Sequence, residues 1–340
     1  MDRFFIAFNS SCMNTGYQID WFFPKSENID LYNEVKFYTD ENSTVEQLFL
    51  NHINKTDISY DIIITHFVEF YIPFFKKLRE NNDCKVYAVD HMSRPIDGFS
   101  VKKRFKRKAK YLINSKYIDK IVAVSKYIKQ QNLQDYGKGL RNKIEVIYNG
   151  IKTDLYQVKI PVNIEEKEQF RFIVVSHLVY EKGIHDLILA LSMLEEFTLK
   201  RIKVDVYGEG IYKSTLEDLR NIHNLADVIE FKGSVPNLHK HYKDYDYMIQ
   251  PTYMEAFSLS ILESLCCNIP VITTKVGGNI EIIKNGVNGF LFNVKDVEAL
   301  KKIIQDICNG HMSINNSKIN EEIRHSFSLD NMVNNYLKLL

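Results

Sequence analysis

The sequence has almost no net charge to offer a polyanion. Forty-four Lys and Arg stand against 43 Asp and Glu in 340 residues, a formal +1, whereas a dedicated nucleic-acid binder carries a clear basic excess. Cysteine is scarce and poorly placed for cross-linking. Cys12, Cys84, Cys266, Cys267 and Cys308 are odd in number, two of them adjoin, and none forms a C-x-x-C pair. That argues against a disulfide framework or a zinc ribbon and fits small buried hydrophobes in a reducing compartment. Long apolar runs are missing too. The greasiest stretch, Ile62 to Phe75, is interrupted by His66, Glu69 and Pro73, and a membrane span needs ~18 uninterrupted apolar residues. The opening Met-Asp-Arg lacks the charged-then-apolar pattern of a secretion signal, so the expectation is a soluble, cytoplasmic protein. There is no repeat of fixed period and no low-complexity tract.

What is present suffices for a large interior. The chain is 45% hydrophobic and 12% aromatic, which excludes disorder as a main theme, and its length predicts two domains. Charge is uneven within it: residues 101–150 hold fourteen Lys/Arg and three Asp/Glu.

Short β-branched runs alternate with amphipathic stretches from end to end. Ile19–Phe23, Asp61–Thr65, Lys85–Val89 and Lys120–Val124 read as strands, as do Arg171–Val175, Lys203–Tyr207, Val228–Lys232, Tyr247–Gln250 and Pro270–Thr274. Helical patterns lie between them, among them Ile184–Glu196, Tyr212–His223 and Ser258–Cys267. The alternation predicts an α/β protein with parallel sheets covered on both faces. A turn signal at Asn149-Gly150 and the polar stretch 162–169 predict a boundary near residues 150–168. Ligands of such sheets bind beyond the carboxyl ends of the strands, so the loops there are the candidates.

Two loops stand out. Ser176-His177-Leu178-Val179-Tyr180-Glu181-Lys182-Gly183 follows a strand and opens a helix, a setting in which a lysine can meet an anion at a helix N-terminus; a solvated lysine is the alternative. Tyr253 to Glu263 follows Ile249-Gln250-Pro251, with Ser258 as the predicted N-cap. Glu255 then sits in the loop before the helix and Glu263 one to two turns into it. Amides of Phe257, Ser258 and Leu259 with the helix dipole make a phosphate cradle, and the carboxylates can accept bonds from sugar hydroxyls or act only as groups stabilising the dipole.

Glu255 and Glu263 form an E-x7-E pair within EAFSLSILESLCCNIPVITTKVGGNIEIIKNGVNGFLF. This resembles the donor-site signature of retaining GT-B glycosyltransferases of the family 4 type. VSHLVYEKG is similar to that family's loop after the first strand of its second domain, VYGEG to its glycine turn, and IEVIYNGI to its interdomain crossing. The resemblance runs from about residue 120 to 310.

The resemblance implies a GT-B fold: two Rossmann-like doubly wound domains facing a cleft. An acceptor-side domain would span 1–155 and a donor-binding domain 156–326, with the segment 327–340 packing back on the first. Lys182 would bind the donor diphosphate, Glu263 the ribose and Glu255 the transferred sugar. Phe257, Ser258 and Leu259 would cradle phosphate, Gly208 and Gly210 would admit the nucleotide, and Gly233 to Pro236 would line its base. His91, after the strand Lys85–Val89, would face sugar and acceptor, with His66 a weaker candidate. The catalytic set implied is His91, Glu255 and Lys182. The co-substrate would be a nucleotide-sugar, UDP-linked rather than GDP-linked, with no metal and no other cofactor. Asp244-Tyr245-Asp246 directly precedes an apolar run, where the family has an ordinary strand start rather than a metal site.

Two departures from the pattern bear on activity. His177 stands where the family has arginine, replacing a fixed fork of donors by an imidazole. Asp2–Phe8 is similar to the end of the family's opening glycine loop and its following helix, so the first strand and that loop are not in the register. Loss of that strand is expected to expose neighbouring edges, unless Met1–Phe8 serves as the strand or a protein partner completes the domain.

Lys102–Lys110 is a basic amphipathic helix suited to an anionic membrane face, where each basic residue contributes ~1 kcal/mol; a solvated cationic helix is the alternative, and no aromatic platform accompanies it for RNA. The function implied is sugar transfer, with retention, to a growing glycan or lipid-linked saccharide in cell-surface polysaccharide assembly, peripheral on the inner face of the plasma membrane. The other reading is a catalytically inert GT-B-like partner, or a truncated copy without turnover.

Overall fold

The computed structural model describes residues 1–24, 32, 35–56, 58–81, 83–160, 167–315 and 317–340. The chain forms two compact units: Met1–Met92 with Phe99–Gly150 and Leu329–Leu340, and Ser93–Gly98 with Ile151–Ser328. Among the described residues no helix is long and apolar enough to cross a membrane.

The first unit opens on a helix, Asp2–Asn14, and not on a strand over Met1–Phe8. Phe4, Phe5, Phe8 and Cys12 recur at helical spacing and are its buried face. The C-terminal helix Leu329–Leu337 covers that face, with the Phe4 and Tyr336 rings 4.7 Å apart. Tyr87 Oη donates to the Leu339 carbonyl at 3.0 Å and ties the end of the chain to the same unit.

Strands β1 (Trp21–Phe23) and β2 (Phe37–Thr39) form a parallel pair. Strands β3 (Ile62–His66), β4 (Lys85–Asp90), β5 (Lys120–Ala123) and β6 (Ile144–Val146) form a separate parallel sheet in that order. Among the described residues β1 and β3 share no ladder, and a cavity of about 1550 Å³ opens along them, lined by Phe5, Trp21, Phe23, Tyr60, Ile64 and His66 among others.

The second unit carries strands β7 (Phe170–Val175), β8 (Ile202–Tyr207), β9 (Ile229–Gly233), β10 (Tyr247–Gln250), β11 (Val271–Thr274) and β12 (Gly289–Phe292). All neighbours are parallel and their order is β12-β11-β10-β7-β8-β9. Every residue of β10 and β11 is buried, the pattern of strands covered on both faces. The order runs outward in both directions from the β7–β10 pair, so the topological switch point lies between those strands.

The helix expected over Ile184–Glu196 is in fact two, Ile184–Ser192 and Glu196–Leu199. The Ser192 hydroxyl donates back to the Leu189 carbonyl at 2.8 Å where the first one ends, the local competition that serine offers a helix. The sequence pattern does not predict β2, β6 or β12: β2 and β6 are three residues long, and β12 opens on a glycine. All five cysteines are buried as free thiols, and burial raises Cys12 and Cys266 to a pKa of about 11.

Candidate functional site

The switch point selects two loops of the second unit, the one after β7 and the one after β10. They are stitched together through backbone. Tyr253 N donates to the Glu181 carbonyl at 2.7 Å, and the Thr252 hydroxyl reaches the same oxygen at 3.3 Å. Tyr253 adds a side-chain bolt. Its hydroxyl lies 2.8 Å from Asp186 Oδ2 and 2.7 Å from His185 Nε2, in the first turn of the helix Ile184–Ser192. Burial pushes the His185 pKa down, and Tyr180 stacks on its ring at 4.8 Å. Tyr253, His185 and Asp186 were not singled out from sequence, since an aromatic and two polar residues 67–68 positions apart carry no local signal.

That stitching brings two predicted residues into direct contact. Lys182 Nζ lies 2.9 Å from Glu255 Oε2, with both side chains partly buried. Glu255 Oε1 also accepts from the Ala256 amide at 3.1 Å. One cation and one carboxylate are thus held at the mouth of the switch point.

The helix Leu259–Cys266 starts where its N-cap was expected. Ser258 Oγ accepts from Ile261 N at 3.3 Å. The amides of the first turn have no intrahelical carbonyl to bond, and they carry the positive end of the helix dipole. A buried polar network fixes this start. Gln250 Nε2 donates to Ser258 Oγ at 2.9 Å and to Ser260 Oγ at 3.1 Å, and Asn279 Nδ2 donates to Gln250 Oε1 at 3.2 Å and Thr273 Oγ1 at 3.0 Å. These four bonds tie the helix start to β10 and β11, although Asn279 Oδ1 is buried without a partner among the described residues. Phe257 is buried beneath the loop, 5.5 Å from the Phe327 ring. Glu263, in the helix's second turn, accepts from Tyr242 Oη at 2.7 Å. Burial first, and Glu263 second, push the Tyr242 pKa far up, so the phenol remains a donor and orients the carboxylate.

The glycines act through close approach. A Cβ on Gly208 would sit 1.9 Å from the Ser176 carbonyl oxygen, and one on Gly210 2.3 Å from that of Leu178. The backbone these glycines admit is that of the loop after β7, which is how they shape the site. Gly277, quoted in the motif but given no role, does the same for the other loop. Its φ is +54° and a Cβ would lie 1.7 Å from the Glu255 carbonyl oxygen. Gly233 accepts from Gly208 N at 2.9 Å, which places the start of the Gly233–Pro236 segment beside the glycine turn. His177 is exposed at the start of the first loop.

Asp246 takes no part in these loops. It meets Lys159 at 2.6 Å, pairs with Lys167, and accepts from Arg171 N at 2.8 Å. Those contacts lie at the amino ends of β7 and β10, the end of the sheet away from the switch-point loops.

In the first unit, β3 and β4 end side by side and bring two histidines together, with His66 Nδ1 and His91 Nε2 3.0 Å apart. Burial lowers both pKa values, that of His91 to about 4 and that of His66 well below its ordinary value. Both imidazoles are neutral at pH 7, one ring donating an N–H to the other. Phe67, with φ +62°, lays its ring 4.4 Å from that of His91. Sequence reading ranked His66 below His91 and did not foresee the pair, which depends on strand register.

Residues 157–325 match the family model described as Glycosyl transferases group 1, and residues 20–155 match that of Glycosyltransferase Family 4. Over 230 residues the chain is 30% identical to "Uncharacterized glycosyltransferase MJ1607" of Methanocaldococcus jannaschii, covering 62% of this chain and 57% of that protein. The chain spans about half the length of the curated relatives it matches in this way. Among solved structures it is similar to Anabaena Alr3699/HepE in complex with UDP and glucose, with a TM-score of 0.79 at 16% identity, over 99% of this chain and 95% of that one. It is also similar to the apo form of the lipopolysaccharide outer core galactosyltransferase WaaB, with a TM-score of 0.75 at 17% identity, over 100% and 96% of the two chains.

Proposed function

The chain belongs to the glycosyltransferases of GT-B fold, with family 4 and group 1 segments in tandem, and on that footing we propose that it moves a sugar from a nucleotide-sugar to a growing glycan or lipid-linked saccharide, with retention. The observation that carries the reading is the arrangement at the switch point. One cation, one carboxylate and a helix N-terminus meet beyond the ends of β7 and β10, and a second carboxylate, Glu263, lies in the second turn of that helix, bonded to Tyr242. That set suits a ligand with an anionic diphosphate and neutral hydroxyls.

In this reading Lys182 and the amides of Phe257, Ser258 and Leu259 take the diphosphate. Glu263, oriented by Tyr242, accepts from the ribose hydroxyls, and Glu255 from those of the sugar. The bond from the anomeric carbon to the diphosphate oxygen breaks while a bond to the acceptor oxygen forms on the same face. The acceptor proton passes to the departing phosphate oxygen. Preorganised donors aimed at that developing charge supply the stabilisation, so no step is assigned to a metal ion. His91 is assigned to the acceptor side.

UDP is the nucleotide proposed, in line with the UDP held by the similar Anabaena protein. Cell-surface polysaccharide assembly at the cytoplasmic face of the membrane is the setting proposed.

The test is a thermal-shift panel of UDP, GDP, ADP and their sugar conjugates on wild type and Glu263→Ala. A ligand at ~100 times its Kd stabilises by roughly 2.7 kcal/mol. A shift with one nucleotide, absent in the variant, is expected. Flat curves for every ligand would overturn the reading in favour of an inert GT-B-like partner, to which an exposed His177 in place of arginine lends weight.

A further inference from the structure

The helix Val101–Asn114 of the first unit has one face that the protein uses and one that it leaves bare. Arg107 is its buried residue. The guanidinium lies between the rings of Phe99 and Tyr136, at 4.7 and 4.6 Å, and 3.4 Å from Asp135. Lys103 is drawn over Phe99 at 4.0 Å, and Lys110 pairs with Glu69 at 2.7 Å. These contacts fix the inward side.

At ~100° per residue, Val101, Phe105, Lys108 and Leu112 fall along a stripe turned away from Arg107, and Ile113 lies beside it between Lys102 and Lys106. Val101 is 85% exposed, Phe105 74%, Leu112 77% and Ile113 70%. Lys102 and Lys106 flank the stripe on one side and Arg104 on the other. With Lys108, they form no ion pair among the described residues, and all four are exposed.

A helix adapted only to water does not align its phenylalanine and leucine on the outer face. A surface for a polyanion has no use for that stripe either. We propose that this face is an interfacial anchor for an anionic lipid bilayer. Phe105 and Leu112 enter the boundary between headgroups and acyl chains, and Lys102, Arg104, Lys106 and Lys108 engage lipid phosphates. The physical case is charge complementarity joined to an apolar stripe of matching length, the two components of binding by an amphipathic helix. The anchor does not depend on the transfer reading, because it involves no donor-site residue.

The experiment is co-sedimentation of the full chain with vesicles of mixed phosphatidylglycerol and phosphatidylcholine, against phosphatidylcholine alone. Wild type is expected to prefer the anionic vesicles, and the preference to weaken with salt. The double substitution Phe105→Ser with Leu112→Ser, and separately Lys102→Glu with Lys106→Glu, should each lower partitioning about tenfold or more. Far-ultraviolet circular dichroism and melting temperature confirm that these surface variants are folded. Phe105→Trp should show a blue-shifted emission on adding anionic vesicles. Three results would overturn the proposal: equal binding to neutral vesicles, no effect of the serine pair, or full displacement by an RNA homopolymer with no emission shift.

Discussion

Lys182 Nζ and Glu255 Oε2, 73 residues apart in sequence, are joined at 2.9 Å. In the reading proposed above, Glu255 and a donor diphosphate compete for Lys182, and a diphosphate that draws the lysine away frees Glu255 to accept from hydroxyls.

This exchange predicts opposite effects of two substitutions. Glu255→Gln removes the competitor for Lys182, so affinity for the bare nucleoside diphosphate should hold or rise while turnover falls ~100-fold or more. Lys182→Ala should weaken the same ligand about tenfold or more, a charge-assisted contact being worth roughly 1.5–3 kcal/mol. Isothermal titration with the nucleotide, paired with turnover assays, separates the two; parallel losses of affinity in both variants would count against the exchange.

His177→Arg should strengthen donor binding. The residue is exposed at the start of the loop after β7, where a guanidinium can add a permanent charge and a fork of donors. Several-fold tighter nucleotide binding, with an unchanged melting temperature for the free protein, is the expected outcome. A null effect on affinity would place position 177 outside the reach of the phosphates.

Gly277→Ala should be severe. The added methyl would meet the Glu255 carbonyl oxygen at 1.7 Å, and φ of +54° is strained for alanine. The loop must move, taking the Glu255 side chain with it. Loss of roughly 1–3 kcal/mol in urea denaturation, together with loss of the nucleotide-induced thermal shift, is predicted. Gly286→Ala is the control, since nothing lies within 4 Å of its Cβ position although its φ is also positive.

The His66–His91 pair should make stability depend on acid. Both pKa values are lowered in the folded state by burial, His91 to about 4. A lowered base contributes stability that is fully present above its unfolded pKa, near 6.5, and is lost as pH falls toward the folded value. Each imidazole contributes a slope of up to ~1.4 kcal/mol per pH unit in that window. Urea midpoints between pH 7 and pH 4 should fall less steeply for His91→Gln than for wild type. Equal slopes would mean that the pair is hydrated and unshifted.

Much of this molecule is legible along the chain because it depends on neighbours in sequence. Apolar runs of four to six residues, rich in β-branched side chains in β7 and β8, mark β7, β8 and β10, and Ser258 announces the helix it caps. The strands of three residues, β1 apart, carry too little pattern, and Ser192 ends a helix that periodicity alone would extend. The basic run Lys102–Lys110 and its amphipathic character are evident from the sequence, but which face turns outward is decided by Arg107, buried between two rings.

The sequence by itself therefore determined most of the elements and their alternation and singled out Lys182, Glu255 and Glu263 as candidates, since caps, periods and loop chemistry are local. Tertiary structure alone decided that Lys182 meets Glu255, that Tyr242 holds Glu263, that Gly277 makes room for the Glu255 loop, and that His66 faces His91. Those pairings are set by strand order and register across the sheets, and burial shifts a pKa only after folding has removed the water.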